Sequence, residues 1–350
     1  MPETTAADTN GMRLTREGMH EFLERSGIPQ LVLDDGIVAI ANAAARAVLG
    51  QHIVGEDVRV ALRHPAAVDL IGRAEGGSVD VRGLTGTRSL WGVRYQPIDG
   101  CFSLVELTDR TAEADISRAH TDFVANASHE LRTPLASIIG YVETLVDEGD
   151  NVDPVAAARF HETIVREARR LQSLVQDLMS LSQVEAEEHD QPREQLDLGP
   201  LVERAARDTA GTARADRIRF EPPDEPLIVR GDAGQLEQVV RNLVDNALKY
   251  GDPQQPVIVR LSRGRRGMAV IQVQDTGEGV GPEHLPHLTR RFYRTDPGRS
   301  RAAGGTGLGL AIVKHIVERH RGRLDIASKV GEGTTVTIRL PVAAPDRPSP

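Results

Sequence analysis

The sequence predicts a multidomain α+β chain, and three observations from its left, middle and right carry that prediction. Residues 15–110 are cut by Gly, Pro and Asp-Gly turns into short apolar runs, as expected of an antiparallel sheet with helices. Residues 123–145 and 160–181 repeat apolar positions every three or four residues, which makes a helical hairpin. Residues 196–342 alternate helix and strand signals, the pattern of a two-layer α/β sandwich. With 350 residues the chain has room for two or three domains.

Composition narrows the function classes. A formal net charge of −9 argues against direct nucleic-acid contact, which needs basic surface to displace counterions from phosphates. Cys101 is the single cysteine, so an intrachain disulfide or a cysteine-rich metal site is excluded, and a small buried apolar role is expected for it. No apolar run approaches the roughly 18 to 20 residues that cross a bilayer, and the first residues lack a basic segment followed by an apolar core. A chain without a transmembrane segment, cytoplasmic and at most peripheral to the inner membrane, is the expectation. Polar residues 1–14 and proline-rich residues 343–350 read as disordered tails.

In the first region a short amphipathic helix with Met19, Phe22 and Leu23 leads into strands at 29–33 and 36–41, split by Asp34-Asp35-Gly36. Helical stretches at 43–49 and 56–73 follow, then strands near 78–82, 89–95 and 101–107. That order, with Val32-Leu33-Asp34, Asn42-x-Ala44-Ala45 and the exit Leu107-Thr108-Asp109-Arg110-Thr111, resembles a PAS sensor domain over residues 15–111. The resemblance implies a module that binds a small ligand or dimerises. His64 as a haem ligand has nothing haem-like around it, and the ordinary reading of a lone histidine is preferred.

The helix over 123–145 carries its seam on Val124, Ala127, Leu131, Leu135, Ile138, Val142 and Leu145. His129 stands two residues, about 200°, from both Ala127 and Leu131, so its imidazole points away from that seam. Glu130 is its neighbour, Thr133 lies one turn on, and Pro134 removes the hydrogen bond to the carbonyl of residue 130, which favours a local bend. A lone histidine on such a face is ordinarily just solvated. Residues 147–154 break the helix, and a second one carries Phe160, Ile164, Ala168, Leu171, Leu174, Leu178 and Leu181. Two such helices cannot bury both seams alone, so pairing two hairpins into a dimeric four-helix bundle, a homodimer, is predicted.

In the third region helices are expected near 199–211, 234–250 and 307–321, and strands near 217–221, 226–230, 256–263, 268–275, 323–329 and 334–341. The helix starting after Asp232 places Asn242, Asn246 and Lys249 on one polar stripe. Two amides and an ammonium suit a magnesium triphosphate, with Asn242 and Asn246 as the oxygen donors to Mg²⁺. Asp275-Thr276-Gly277-Glu278-Gly279 ends a strand with an acceptor for an adenine amine and glycines that let backbone pass close to a flat ring. Gly304-Gly305-Thr306-Gly307-Leu308-Gly309-Leu310 opens a helix whose first amides can hold phosphate oxygens. It is not a Walker A loop, because no Lys-Ser/Thr follows. Taken singly, these elements read as a solvated stripe and two turns, and Gly331-Glu332-Gly333-Thr334 as a hairpin.

Together they form a different picture. Ser128-His129-Glu130-Leu131-Arg132-Thr133-Pro134-Leu135 resembles the phospho-acceptor box of sensor histidine kinases, with a dimerisation and phosphotransfer domain at 112–190. Asn242-Leu243-x-x-Asn246-Ala247-x-Lys249-Tyr250 and the glycine segments resemble the asparagine and glycine boxes of Bergerat-type ATPase domains, covering 196–342. Leu288-Thr289 before Arg291-Phe292-Tyr293-Arg294, with Phe123-Val124-Ala125-Asn126 and Val313-Lys314-His315-Ile316, is similar to the phosphate-regulon sensor kinases. Arg290 departs from the acidic residue usual before the lid, which puts the lid's ion pairing in question.

The resemblance implies ATP and Mg²⁺ as cofactors, with Asn242, Asn246, Lys249, Tyr250, Asp275, Gly277, Gly279, Gly305, Thr306, Gly307, Leu308 and Gly309 around the nucleotide. It further implies phosphorylation of His129 with help from Glu130, and transfer to an aspartate of a response-regulator receiver domain. A phosphatase activity through Thr133 also follows from it. The rival from another class is a PAS-controlled nucleotide-binding scaffold or ATPase clamp without phosphotransfer, which predicts bound ATP and no acid-labile label on the chain.

Overall fold

The structure, a computed structural model, describes residues 16–99, 101–187, 190–295 and 305–343, which fall into two compact units dividing between Asp122 and Phe123. The tails expected at 1–14 and 343–350 lie outside the described residues, as does Gly304, except that Ala343 is described and donates its amide to the Ile228 carbonyl at 2.8 Å.

The first unit opens with α1 (Arg16–Glu24) and the hairpin β1 (Gln30–Asp34) and β2 (Ile37–Ala41). Then come α2 (Ala43–Leu49), α3 (Val58–Ala61) and α4 (Pro65–Gly72), followed by β3 (Gly77–Arg82), β4 (Leu90–Asp99) and β5 (Phe102–Asp109). The strands pair antiparallel in the order β2-β1-β5-β4-β3. Leu31, Leu33, Trp91, Val93, Val105 and Leu107 share a core with Ala45, Ile53, Leu62 and Ala67 of the helical middle. On the other face Val32 and Ile40 meet Leu23 of α1.

Two expectations fail here. The helix predicted across 56–73 is broken, because Pro65 cannot continue a helix from before it and starts a new one instead. His64 caps that start, its Nδ1 accepting the amide of Ala66 at 3.3 Å, a structural duty that accounts for it without haem. Cys101, expected buried, is exposed at the turn between β4 and β5.

Asn42 is the joint of this unit. Fully buried, it caps α2 by accepting from Ala45 N at 2.9 Å, accepts from Gln30 N at 3.0 Å, and donates to the carbonyl of Ile28 at 2.7 Å and of Leu23 at 3.1 Å. A buried amide so fully satisfied fixes α1, β1 and α2 against one another.

Helix α5 (Thr111–Glu148) runs through into the second unit, turns at 149–153, and returns as α6 (Pro154–Ala186), capped by Asp153. The chain continues with β6 (Gln195–Asp197), α7 (Leu198–Ala210), β7 (Ile218–Glu221), β8 (Ile228–Arg230), α8 (Ala233–Tyr250), β9 (Val257–Arg263) and β10 (Met268–Gln274). It closes with α9 (Gly309–Arg319), β11 (Arg323–Lys329) and β12 (Gly333–Pro341). The main sheet is ordered β11-β12-β10-β9-β7, antiparallel except for the parallel pair β7 and β9. β8, within the strand expected at 226–230, pairs with the unforeseen β6 as a two-stranded ribbon, and Val229 bridges to Val342 just beyond β12. Leu236, Val240, Leu243, Ile312 and Ile316 of α8 and α9 bury against Val259, Ile271 and Ile338 of the sheet, so helices and sheet form two layers.

The same core admits the hairpin. Leu174, Leu181 and Val184 of α6 are buried in it, with Phe123 and Leu131 of α5 at its margin. The apolar seam therefore divides: its C-terminal part on α6 docks on the α/β sandwich, while Leu135 and Val142 of the α5 seam, with Ile139 and Val146 beside it, stay exposed. Among the described residues no helix is long and apolar enough to cross a membrane.

Candidate active site: a glycine-walled cleft beside an exposed histidine

Helix α8 begins at Asp232, whose Oδ1 accepts from Gln235 N at 3.0 Å. The cap is not reciprocated: the Gln235 side chain donates to Glu187 at 3.3 Å, and Asp232 N donates to His320 Nε2 at 3.0 Å. Leu236, Val239, Val240, Leu243 and Ala247 face the core, which leaves Asn242, Asn246 and Lys249 along a cleft of about 1410 Å³. Tyr250, Asp275, Gly277, Gly279, Gly305, Thr306, Gly307 and Gly309 line the same cleft. Leu308 does not, since its side chain is fully buried in the core and only its amide serves the loop, donating to Thr306 Oγ1 at 3.3 Å.

Asp275 follows the end of β10 and accepts from Gly277 N at 2.9 Å and Thr334 N at 3.3 Å. Burial pushes its carboxyl pKa up, while those two amides pull it back. The glycines beside it have a reason that the sequence does not disclose. A Cβ on Gly277 would lie 2.1 Å from the carbonyl oxygen of Tyr250, and one on Gly279 2.1 Å from that of Lys329. Backbone meeting backbone, rather than backbone meeting a flat ring, already requires glycine at both places. The far end of α8 is held by Arg217, which donates to the carbonyl of Asp252 at 2.7 Å.

On the hairpin His129 is exposed on α5, as its wheel position predicts. The Thr133 hydroxyl donates to the His129 carbonyl at 3.1 Å, and Pro134 is buried. Glu130 is held by two guanidinium groups, Arg170 of α6 at 2.8 Å and Arg294 at 3.1 Å. Arg294 donates also to the carbonyl of Gly305 at 2.7 Å. The neighbour of the histidine is thus joined through one arginine to the glycine loop of the cleft. Arg291 pairs with Glu185 at 2.5 Å and lies over Phe123, which packs on Phe292, while Arg290 is exposed.

Asp177 of α6 reaches the cleft and accepts from Thr306 Oγ1 at 2.6 Å. Burial raises its pKa. Sequence reading passed over Asp177 and Arg170, and read Arg294 only as part of a motif. The signal for Asp177 was there: three residues after Leu174 and four before Leu181, it puts a carboxylate on the buried face of α6.

A surface imidazole on a long hairpin, docked on an α/β sandwich with a cleft between one helix and glycine turns, defines a phospho-acceptor hairpin joined to an ATPase lobe. Two family models match these parts: His Kinase A (phospho-acceptor) domain over residues 119–187, and Histidine kinase-, DNA gyrase B-, and HSP90-like ATPase over residues 231–344. The chain belongs to the sensor histidine kinases. It is 39% identical over 251 residues to the phosphate regulon sensor protein PhoR of Pseudomonas aeruginosa, a match covering 71% of this chain and 56% of that one. It is 38% identical over 246 residues to the sensor-like histidine kinase SenX3 of Mycobacterium tuberculosis, covering 69% and 59%. The match to each spans less than two thirds of the relative's length. A solved structure of the mycobacterial sensor histidine kinase MprB is 33% identical with a TM-score of 0.37, covering 43% of this chain and 97% of that one.

Proposed function

We propose that the protein is an ATP-dependent protein-histidine kinase that phosphorylates His129 and passes the phosphoryl group to an aspartate of a response-regulator receiver domain. The observation that carries this is the bridge from Glu130, next to an exposed imidazole, through Arg294 to Gly305 at the rim of the glycine-walled cleft. In this reading a ring nitrogen of His129 attacks the γ-phosphorus, the bond to the bridging oxygen breaks, and ADP leaves. Glu130 takes the ring proton or orients the imidazole, which requires its two guanidinium partners to let go. Asn242, Asn246, Lys249 and the loop amides hold the triphosphate, and Asp275 holds the adenine amine.

The donor set fits a magnesium ion: Asn242 and Asn246 place amide oxygens on one stripe, and an ion shared with phosphates needs no all-protein cage. Such an ion supplies neutralising charge for the phosphate oxygens when nucleotide is bound. Thr133, one turn from His129, orients a water for dephosphorylating the regulator.

The apolar stripe Leu135, Ile139, Val142 and Val146, with Val165, Val175 and Met179 on α6, supports a homodimer, because monomeric proteins rarely leave so continuous a stripe in water. Strand order β2-β1-β5-β4-β3 with helices between β2 and β3 supports a PAS-like sensor at 15–111, ahead of a phosphotransfer domain at 112–190 and a catalytic domain at 196–342. Identity to the phosphate regulon sensor supports phosphate-type signalling. We place the working protein in the cytoplasm, at most peripheral to the inner membrane.

The test is incubation with ATP labelled on the γ-phosphate. The wild-type chain takes up acid-labile, base-stable label and His129→Gln takes up none; label undiminished in the variant refutes the mechanism. One observation favours the scaffold reading, namely that Glu130 faces Arg170 and Arg294. That reading predicts nucleotide binding with no label on the wild-type chain.

A further inference from the structure

The nucleotide cleft is not built from the α/β sandwich alone. Ser173, Gln176, Asp177 and Ser180 of the hairpin helix α6 also line it, and one of them carries charge. Asp177 accepts the hydroxyl of Thr306 at 2.6 Å, on the loop whose amides open α9. Its surroundings divide by sign: Lys249 attracts it and Asp245 repels it. Lys249 is itself occupied, its Nζ 2.6 Å from Asp245. A desolvated carboxylate thus sits on the hydroxyl of the loop whose amides open α9 and within the field of the ammonium, the loop and the cation being the two kinds of donor that a polyphosphate needs.

We propose that Asp177 is an internal competitor for nucleotide, a carboxylate that takes the place of a distal phosphate on the Thr306 loop and must leave with α6 before a triphosphate is held. This rests on the reading of the cleft as the nucleotide site. Two anions cannot share one set of donors at this range without a large Coulomb cost, so the competition is specific to phosphate and blind to the base. If the carboxylate blocks nine molecules in ten, the apparent affinity for ATP is lowered about tenfold, because ligand is taken up only by the open fraction. The hairpin thereby sets the affinity of the cleft, in addition to presenting the histidine.

Isothermal titration of the full chain with ATP, ADP and adenosine tests it, on wild type, Asp177→Asn and Asp177→Ala. Asp177→Asn keeps the shape and an acceptor for Thr306 while removing the charge. Both variants are expected to bind ATP about tenfold more tightly, ADP with a smaller gain, and adenosine as wild type does. Unchanged ATP affinity in both variants overturns the proposal. So does an equal gain for adenosine, which would mean that the substitution only loosens α6. Asp275→Asn serves as the control for the underlying reading: if it binds ATP and adenosine like wild type, the cleft is not the adenine site and both ideas fall. If it loses both ligands while Asp177→Asn stays at wild-type affinity, the competitor alone is refuted.

Discussion

Two glycines, one in each unit, serve opposite ends. In the first unit Gly55 has φ +89°, and an added Cβ there would meet nothing within 4 Å. Such a glycine serves a turn and nothing else. In the second unit Gly277 needs no unusual φ, yet its missing side chain lets the segment after β10 pass so close to the C-terminus of α8 that an added Cβ would lie only 2.1 Å from the Tyr250 carbonyl oxygen. Gly55 reverses the chain, whereas Gly277, like Gly279 and Gly333, brings distant backbone segments into contact. Only the second way leaves a walled cleft.

The strongest way to break that comparison is Gly277→Ala. With a carbonyl oxygen in the way the backbone must part, at a cost of more than about 3 kcal/mol. The second unit should melt early in calorimetry, and a fluorescent ATP analogue should no longer bind. A variant that melts and binds like wild type would show the contact to be dispensable.

Asn42→Ala probes the other unit with a comparable loss, about 3 kcal/mol, since it removes a helix cap and orphans buried backbone groups. Nucleotide affinity is expected to stay within experimental error while the first unit unfolds at lower denaturant. A parallel loss of nucleotide binding would mean that the second unit depends on the first for its fold.

Gly55→Ala should cost about 1 to 2 kcal/mol, the penalty of positive φ alone, read from a chemical melt of the first unit. A loss as large as that of Gly277→Ala would erase the contrast between the two kinds of glycine.

The smallest effect is one of pH. His320 is buried, with its Nδ1 donating to Ile316 O at 2.7 Å and its Nε2 accepting from Asp232 N, so burial lowers its pKa below 6.5. The unfolded chain then binds a proton that the folded one refuses. Its contribution to stability is complete above pH 6.5 and is lost as pH falls from there toward the folded value. Asp177 and Asp275, whose pKa values are raised, act with the opposite sign and nearer the carboxylate range. Denaturant midpoints of the second unit measured from about pH 7.5 down to about pH 5 should fall in wild type and fall less in His320→Gln. An equal fall in both would remove His320 from the account.

Much of this architecture was open to reading from the residues. The strand Met268–Gln274 alternates partly and fully buried residues along its length, and α8 shows its packed face in plain three-four spacing. What stayed hidden depends on partners far along the chain. Leu174 and Leu181 announce an apolar face without saying that an ATPase core will cover it. The three residues of β6, the unforeseen partner of β8, are too short to leave a periodicity. Glu130 reads as a free carboxylate beside an imidazole until Arg170 and Arg294 arrive from two other segments. The types and spacings of the candidate site residues were visible; which of them are tied down by partners was not.

Pro134 has the last consequence. Buried within an unbroken α5, it leaves the carbonyl of Glu130 without its amide partner, so that turn is the cheapest place for the rod to flex. Upstream lie Phe123, on Phe292, and His129; downstream lie Leu135, Ile139 and Val142. The rod is thus two levers on one pivot, and its front arm can swing the imidazole without carrying the rear arm's apolar face along.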